Sequence, residues 1–215
     1  SRGRPRQAEN HEHEMRQRIF AVASKLFLRD DVEAVSMRNL ANEVGCSPMW
    51  LYKYFSSKQE LLWKIWDVFL GELFARLEKI VAATPRARLE LLAFAYVDYW
   101  LENADRFVIV FLQKDLVPDA TRNYLESSAL IERFDLFERV VRDAQAQGDL
   151  QAADATAIAR GLACVLQGLV VNFVTLPEYP WGDTDSLSRL TIRGYLAGMS
   201  LKPVTADPAA KKPPR

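Results

Sequence analysis

Apolar residues fall at helical spacing through most of the chain. Met15, Ile19, Val22, Ala23, Leu26 and Phe27 recur three and four apart, which places them in one stripe and predicts a helix from about Glu12. The Asp30-Asp31 pair ends it, because Asp tolerates a left-handed turn better than most residues. Ser36 then caps a short helix, Met37 to Val44, which Gly45 stops. Ser47 and Pro48 start another at once, since Pro loses no hydrogen bond at the first helical position. This second helix runs to about Phe55, with Leu51 and Phe55 inward, and Ser56-Ser57 reopens the chain into a helix from Lys58 to about Val81. Thr84-Pro85 opens a helix over Leu89 to Leu101 that is apolar on nearly every side. Further helices are expected from Asn103 to about Lys114, about Ala120 to Gln147, Asp154 to about Thr175 and Ser186 to Ser200. No segment alternates with the period of a strand. The expected fold is all-α.

Composition narrows the class. The 215 residues are 49% apolar and 26% charged, enough for a real core, so disorder is expected only at the ends. Cys46 and Cys164 lie too far apart in sequence to suggest a disulfide scaffold and fit a reducing cytosol. The first eighteen residues are almost uniformly polar, unlike a secretory leader, and a cytoplasmic protein is expected. The stretch from Ile158 to Leu176 is apolar but carries Arg160, Gln167 and Asn172, which favours a buried helix over a membrane span. The 28 basic and 28 acidic residues cancel overall but not locally. Residues 1–64 are net +3, residues 65–201 net −6 and the tail from Lys202 net +3, so a polyanion would meet the front. The expected organisation is a flexible basic arm over 1–11, a small helical domain over 12–62, a larger helical domain over 63–201 and a disordered basic tail over 202–215.

The segment Ser36 to Phe55 has helix-turn-helix dimensions. A short capped second helix fits a major groove about one helix wide, and its N-terminal amides point at phosphates. Spacing alone also describes a plain helical hairpin. Ahead of it, Arg2-Gly3-Arg4-Pro5 has the form of a minor-groove hook, Arg2 and Arg4 seeking the negative potential of the groove floor; a solubilising leader reads equally well.

The residues from Ser36-Met-Arg-Asn-Leu-Ala-Asn-Glu-Val-Gly-Cys-Ser-Pro-Met-Trp-Leu-Tyr-Lys-Tyr-Phe55 to Ser57-Lys58-Gln-Glu-Leu-Leu62 closely resemble the TetR family of bacterial transcriptional regulators. The resemblance implies an N-terminal three-helix DNA-binding domain joined to a larger ligand-binding and dimerisation domain. It implies a homodimer on a palindromic operator in double-stranded DNA, usually a repressor released by a small molecule, here of unknown identity. By position, Arg38 reaches a base or phosphate, and Ser47, Pro48, Met49 and Trp50 stand at the base-reading start of the recognition helix. Tyr52, Lys53, Tyr54 and Lys58 take phosphate-bonding positions. Where the family often has a small residue and then Thr or Ser, this chain has Met49 and Trp50. Neither side chain forms bidentate hydrogen bonds, so readout would rest on thymine methyls and one indole N–H.

In the helix Asp154 to Thr175, bulky Leu162, Val165, Leu166, Leu169 and Phe173 sit apart from small Gly161, Cys164 and Gly168. The last helix repeats this with Leu187, Leu190 and Leu196 against Gly194 and Gly198. Small residues permit close helix approach; a monomer core reads from the same pattern. The resemblance implies that these two helices form the dimer interface, with Gly161, Cys164, Val165, Gly168, Leu187, Leu190, Gly194 and Gly198 as candidates. It also places Trp66, Phe94, Tyr96, Trp100, Phe107, Phe111, Phe134 and Phe137 on helices around a ligand pocket, with Asp98, Gln113, Gln167 and Asn172 as polar candidates. Aromatic walls suit a flat or greasy ligand; an aromatic core without ligand is the alternative.

Rival classes have less behind them. The two histidines, His11 and His13, sit near the flexible front, no Gly-rich phosphate loop is present, and no helix carries paired metal ligands. No catalytic residue, cofactor, metal or membrane partner is expected. A helical small-molecule-binding protein without operator binding and an activator of the same fold remain open, the first supported by Met49 and Trp50.

Overall fold

The computed structural model describes residues 4–30, 32, 34–113, 124, 128 and 130–201. The described residues are helical, without a strand beyond one isolated bridge, Leu150 with Ser200. The chain divides into two compact units, Ser1–Glu72 with Asn103–Ile131 and Leu73–Glu102 with Glu132–Arg215.

In the first unit, α1 spans Arg4–Arg29 and α2 Met37–Val44, α3 covers Pro48–Tyr54, and α4, Lys58–Leu77, starts here. The stripe of α1 is buried at Ile19, Ala23, Leu26 and Phe27. Helix α1 begins eight residues before the Glu12 start expected from periodicity, so residues 4–11 are helical where a flexible arm was expected. Good helix formers such as Ala8, Glu9 and Glu12 explain the extension, and Pro5 in the first turn does not interrupt it. The tail from residue 202 lies outside the described residues.

Each turn between these helices is closed by its own side chains. Ser36 accepts the Asn39 amide at 3.1 Å, and Gly45, at φ 80°, ends α2 by donating to Ala41. Ser47 accepts the Trp50 amide at 3.1 Å, with Pro48 just inside α3. At α4, Ser57 accepts the Glu60 amide while the Glu60 carboxylate accepts the Ser56 amide and hydroxyl at 2.7 and 2.6 Å. This arrangement is related to a capping box, and it holds the Glu60 carboxyl below its ordinary range.

After α6, Ala104–Phe107, the helix widens to i→i+5 bonding over Val108–Leu112. Trp66 donates its indole N–H to the Ile109 carbonyl in that turn at 3.1 Å, and Gln113 donates its amide to the Phe27 carbonyl at 2.8 Å. Tyr124 and Ser128 donate to Asp67, each at 3.1 Å. These ties explain why residues 103–131 group with α1 and the start of α4, where the sequence suggested a boundary after residue 62. Helix α4 runs through residue 62 unbroken.

The second unit holds α5, Pro85–Glu102, then all but the first residue of α7, Ile131–Phe134, and α8, Leu136–Ala146, α9, Ala155–Thr175, and α10, Thr184–Gly198. The long helix expected over 120–147 is, in its described part, two helices broken at Asp135, a poor helix former that turns the chain. Helix α5 packs against α8, α9 and α10 and buries Leu89, Leu92, Phe94, Val97 and Trp100. Among the described residues, α9 is the one helix long and apolar enough to cross a membrane. Its seam Ile158, Leu162, Leu166, Val170 and Phe173 is buried, and the helix packs on α5, α8 and α10.

Candidate nucleic-acid interface

The two short helices, α2 and α3, pack on each other, and α2 packs on α1. Helix α3 is anchored by Leu51, its one fully buried side chain, with Phe55 buried just past its end. The remaining positions turn outward. Met49 is 84% exposed and Tyr52 52%, while Arg38, Ser47 and Lys53 are exposed and Pro48 is half-buried. Trp50 is half-buried, its ring 4.4 Å from that of Tyr54 one turn on.

Three basic groups depart from the sequence reading. Lys58 was assigned to phosphate, but its ammonium donates to the Val32 carbonyl at 2.5 Å and so ties the turn after α1 to α4. An ammonium has three donors, so the bond constrains its position without excluding a phosphate. Arg16 of α1 lies over the Tyr54 ring, 5.7 Å from its centre, and Arg18 places its guanidinium 3.4 Å from where a Cβ on Gly45 would stand. Neither stood out in the sequence, because both belong to a helix whose apolar stripe was its visible signal. Arg4 opens α1, and Arg2 lies outside the described residues. Burial pushes the half-buried Cys46 thiol up, opposed by the nearby Arg18 charge.

A match to the model of the bacterial regulatory proteins of the tetR family spans residues 19–64, from the middle of α1 to the first turns of α4. Over these residues the chain matches the TetR family. The HTH-type transcriptional repressor KstR2 of Rhodococcus jostii is 28% identical over 113 residues, 51% of this chain and 55% of that protein. The TetR-family regulator PfmR of Thermus thermophilus matches in structure with a TM-score of 0.64 and 28% identity, over 86% of this chain and 98% of PfmR. NalD of Pseudomonas aeruginosa shares the fold, with a TM-score of 0.73 at 17% identity, over 90% of this chain and 99% of NalD.

The ligand-pocket candidates divide between the two units. Trp66 and Phe107 are buried in the first, and Phe111, 4.9 Å from Phe107, is partly exposed. In the second, Tyr96 stands 6.3 Å from both Trp100 and Phe137, edge to face, and burial pushes its phenol well above the ordinary value. Phe134 packs edge-on to Phe74 at 5.1 Å. Phe94 lies under the Arg189 and Arg193 guanidinium groups of α10 at 4.6 and 5.6 Å. Burial raises the Asp98 carboxyl, with Arg189 and Arg76 opposing. Gln167 Oε1 is buried without a hydrogen-bond partner. Asn172 is exposed, and its amide donates to the Gly168 carbonyl of its own helix at 2.6 Å.

The dimer candidates also separate. Cys164 is exposed, and so are Leu190, at 71%, Gly194 and Gly198. A Cβ on Gly168, Gly194 or Gly198 would meet nothing within 4 Å. Val165 and Leu187 are half-buried. Gly161 differs: the Tyr195 hydroxyl of α10 stands where its Cβ would be and donates to the Ile158 carbonyl at 2.8 Å. Gly161 therefore serves the packing of α9 on α10 within the chain.

Proposed function

We propose that the protein is an operator-binding transcriptional regulator, a dimeric repressor that a small hydrophobic or aromatic ligand releases from DNA. One observation carries the reading. Helix α3 is capped by Ser47, anchored by Leu51, and turns Met49, Tyr52 and Lys53 outward, with Arg38 exposed on α2. Such a helix leaves its side chains to the groove because backbone bonds and one apolar anchor hold it. Repression is supported by similarity to a protein named as a transcriptional repressor. A dimer through α9 and α10 is supported by exposed Leu190 and the open glycines around it. A ligand site is supported by the aromatic lining candidates and by the unsatisfied Gln167 oxygen. Arg2 and Arg4 are proposed to reach the minor groove.

The test is a selection of random duplex DNA on the purified protein at about 150 mM salt, with the mass of the complex measured on the recovered sequence. A palindrome with half-sites about one helical turn apart and two chains bound is expected. Three cationic phosphate contacts per chain, from Arg38, Lys53 and Lys58, predict a log–log salt slope of about −5 for a dimer, with Tyr52 adding a neutral hydrogen bond. Recovery of no enriched sequence overturns operator binding, and ligand binding alone becomes the working description.

A further inference from the structure

The recognition helix carries two large apolar residues at its start, and the structure treats them differently. Met49 projects with 84% of its surface exposed, while the half-buried Trp50 ring packs on Tyr54 at 4.4 Å. Tyr54 in turn lies under the Arg16 guanidinium, 5.7 Å from the ring centre, with the Lys53 ammonium 5.8 Å from the same centre. Four residues along α1 from Arg16, Phe20 meets Phe55 with ring centres 6.1 Å apart. One face of α1 thus grips the end of α3 with a cation on one ring and an aromatic against the next. A ring that meets both a cation and a tilted indole is hindered in its rotation, which helps to hold the helix that carries it in one orientation.

We propose a division of labour at this surface: Arg16, Tyr54 and Trp50 form a positioning stack, and sequence is read by Met49 against a thymine methyl in the major groove. The proposal rests on the operator-binding reading. A thioether on a flexible stem is suited to a methyl group and offers no bidentate hydrogen bond. An indole committed to its neighbour's ring has less freedom to follow a base edge. The expected readout is therefore apolar, and it belongs to one side chain.

Deoxyuridine differs from thymidine only in lacking the methyl, so it probes this contact directly. Each thymine of the selected half-site is replaced in turn and the Kd measured for wild type, Met49→Ala, Trp50→Phe, Arg16→Ala, Tyr54→Leu and the Arg16→Ala/Tyr54→Leu pair. At one position wild type is expected to lose about fourfold in affinity, the worth of one buried methyl. Met49→Ala should show no response there, and Trp50→Phe should keep it. Arg16→Ala is expected to weaken binding about two- to fivefold in wild type and by a smaller factor in Tyr54→Leu. Thermal unfolding of each variant confirms that the comparison is between folded proteins. An undiminished deoxyuridine response in Met49→Ala, its loss in Trp50→Phe, or an equal Arg16→Ala effect with and without the ring overturns the proposal. Wild type that selects no sequence instead defeats the operator-binding reading.

Discussion

Helices α3 and α9 expose apolar surface for opposite reasons. Helix α3 has seven residues, too few to be stable alone, and fully buries only Leu51. Its place is set by Ser47, Pro48 and the Gly45 turn, so exposed Met49 is a side chain released from structural duty. Helix α9 has 21 residues and a full buried seam, yet Cys164 and the Gly168 face stay open, as does Leu190 on the neighbouring α10. Capping lets a short element present a surface; packing lets a long one keep a second face in reserve. The first kind of surface is polar at its edges and suits a charged groove, whereas the second is apolar and suits another protein surface.

The contrast is broken most severely at its anchor. Leu51→Ala removes the one buried side chain of α3 and leaves a cavity between α3 and the rest of its unit. A loss of about 2–5 kcal/mol is expected, a large share of a typical domain's stability. Urea unfolding should show a lower midpoint, and binding to any selected duplex should fall in step with the unfolded fraction. A variant that keeps full stability would mean that the caps alone hold the helix.

Gly161→Ala tests the other region. The added methyl would occupy the place of the Tyr195 hydroxyl, so α9 and α10 must part or Tyr195 must lose its bond to the Ile158 carbonyl. A destabilisation of about 1–3 kcal/mol is expected, and Tyr195→Phe should recover part of it by removing the hydroxyl. The same change at Gly168, where a Cβ meets nothing within 4 Å, should leave thermal stability within about 0.5 kcal/mol.

What could be read from sequence follows the same division. The helix-turn-helix was legible because its signals are local: a cap three residues from its amide, a glycine at a left-handed turn, a proline at a helix start. The role given to Met49 came instead from the family resemblance, by its position at the start of α3. Contacts closed over long separations left no trace in periodicity. Trp66 fixes the i→i+5 turn from 43 residues away, Lys58 reaches back 26 residues to Val32, and Arg16 meets Tyr54 across two helices. Gly161 reads like Gly168 in a stripe of small residues, and only the position of Tyr195 separates them. Periodicity names a face; it does not name what stands opposite.

The smallest expected effect sharpens the account of the caps. Glu60 accepts the Ser56 amide and hydroxyl, and these bonds lower its carboxyl from the ordinary value of 4.5. A lowered folded-state value means that the carboxylate stabilises the fold at neutral pH, and that this contribution fades as pH falls below about 4.5 and through the folded-state value. Glu60→Gln keeps an oxygen to accept a hydrogen bond but removes the charge near the start of α4, at an expected cost of about 0.5 kcal/mol. Thermal melts should separate the two proteins at pH 7 and bring them together as pH drops below the carboxyl range. A separation that persisted at low pH would assign the effect to the shape of the amide. The charge at the start of α4 would then add nothing to the hydrogen bonds that close the turn.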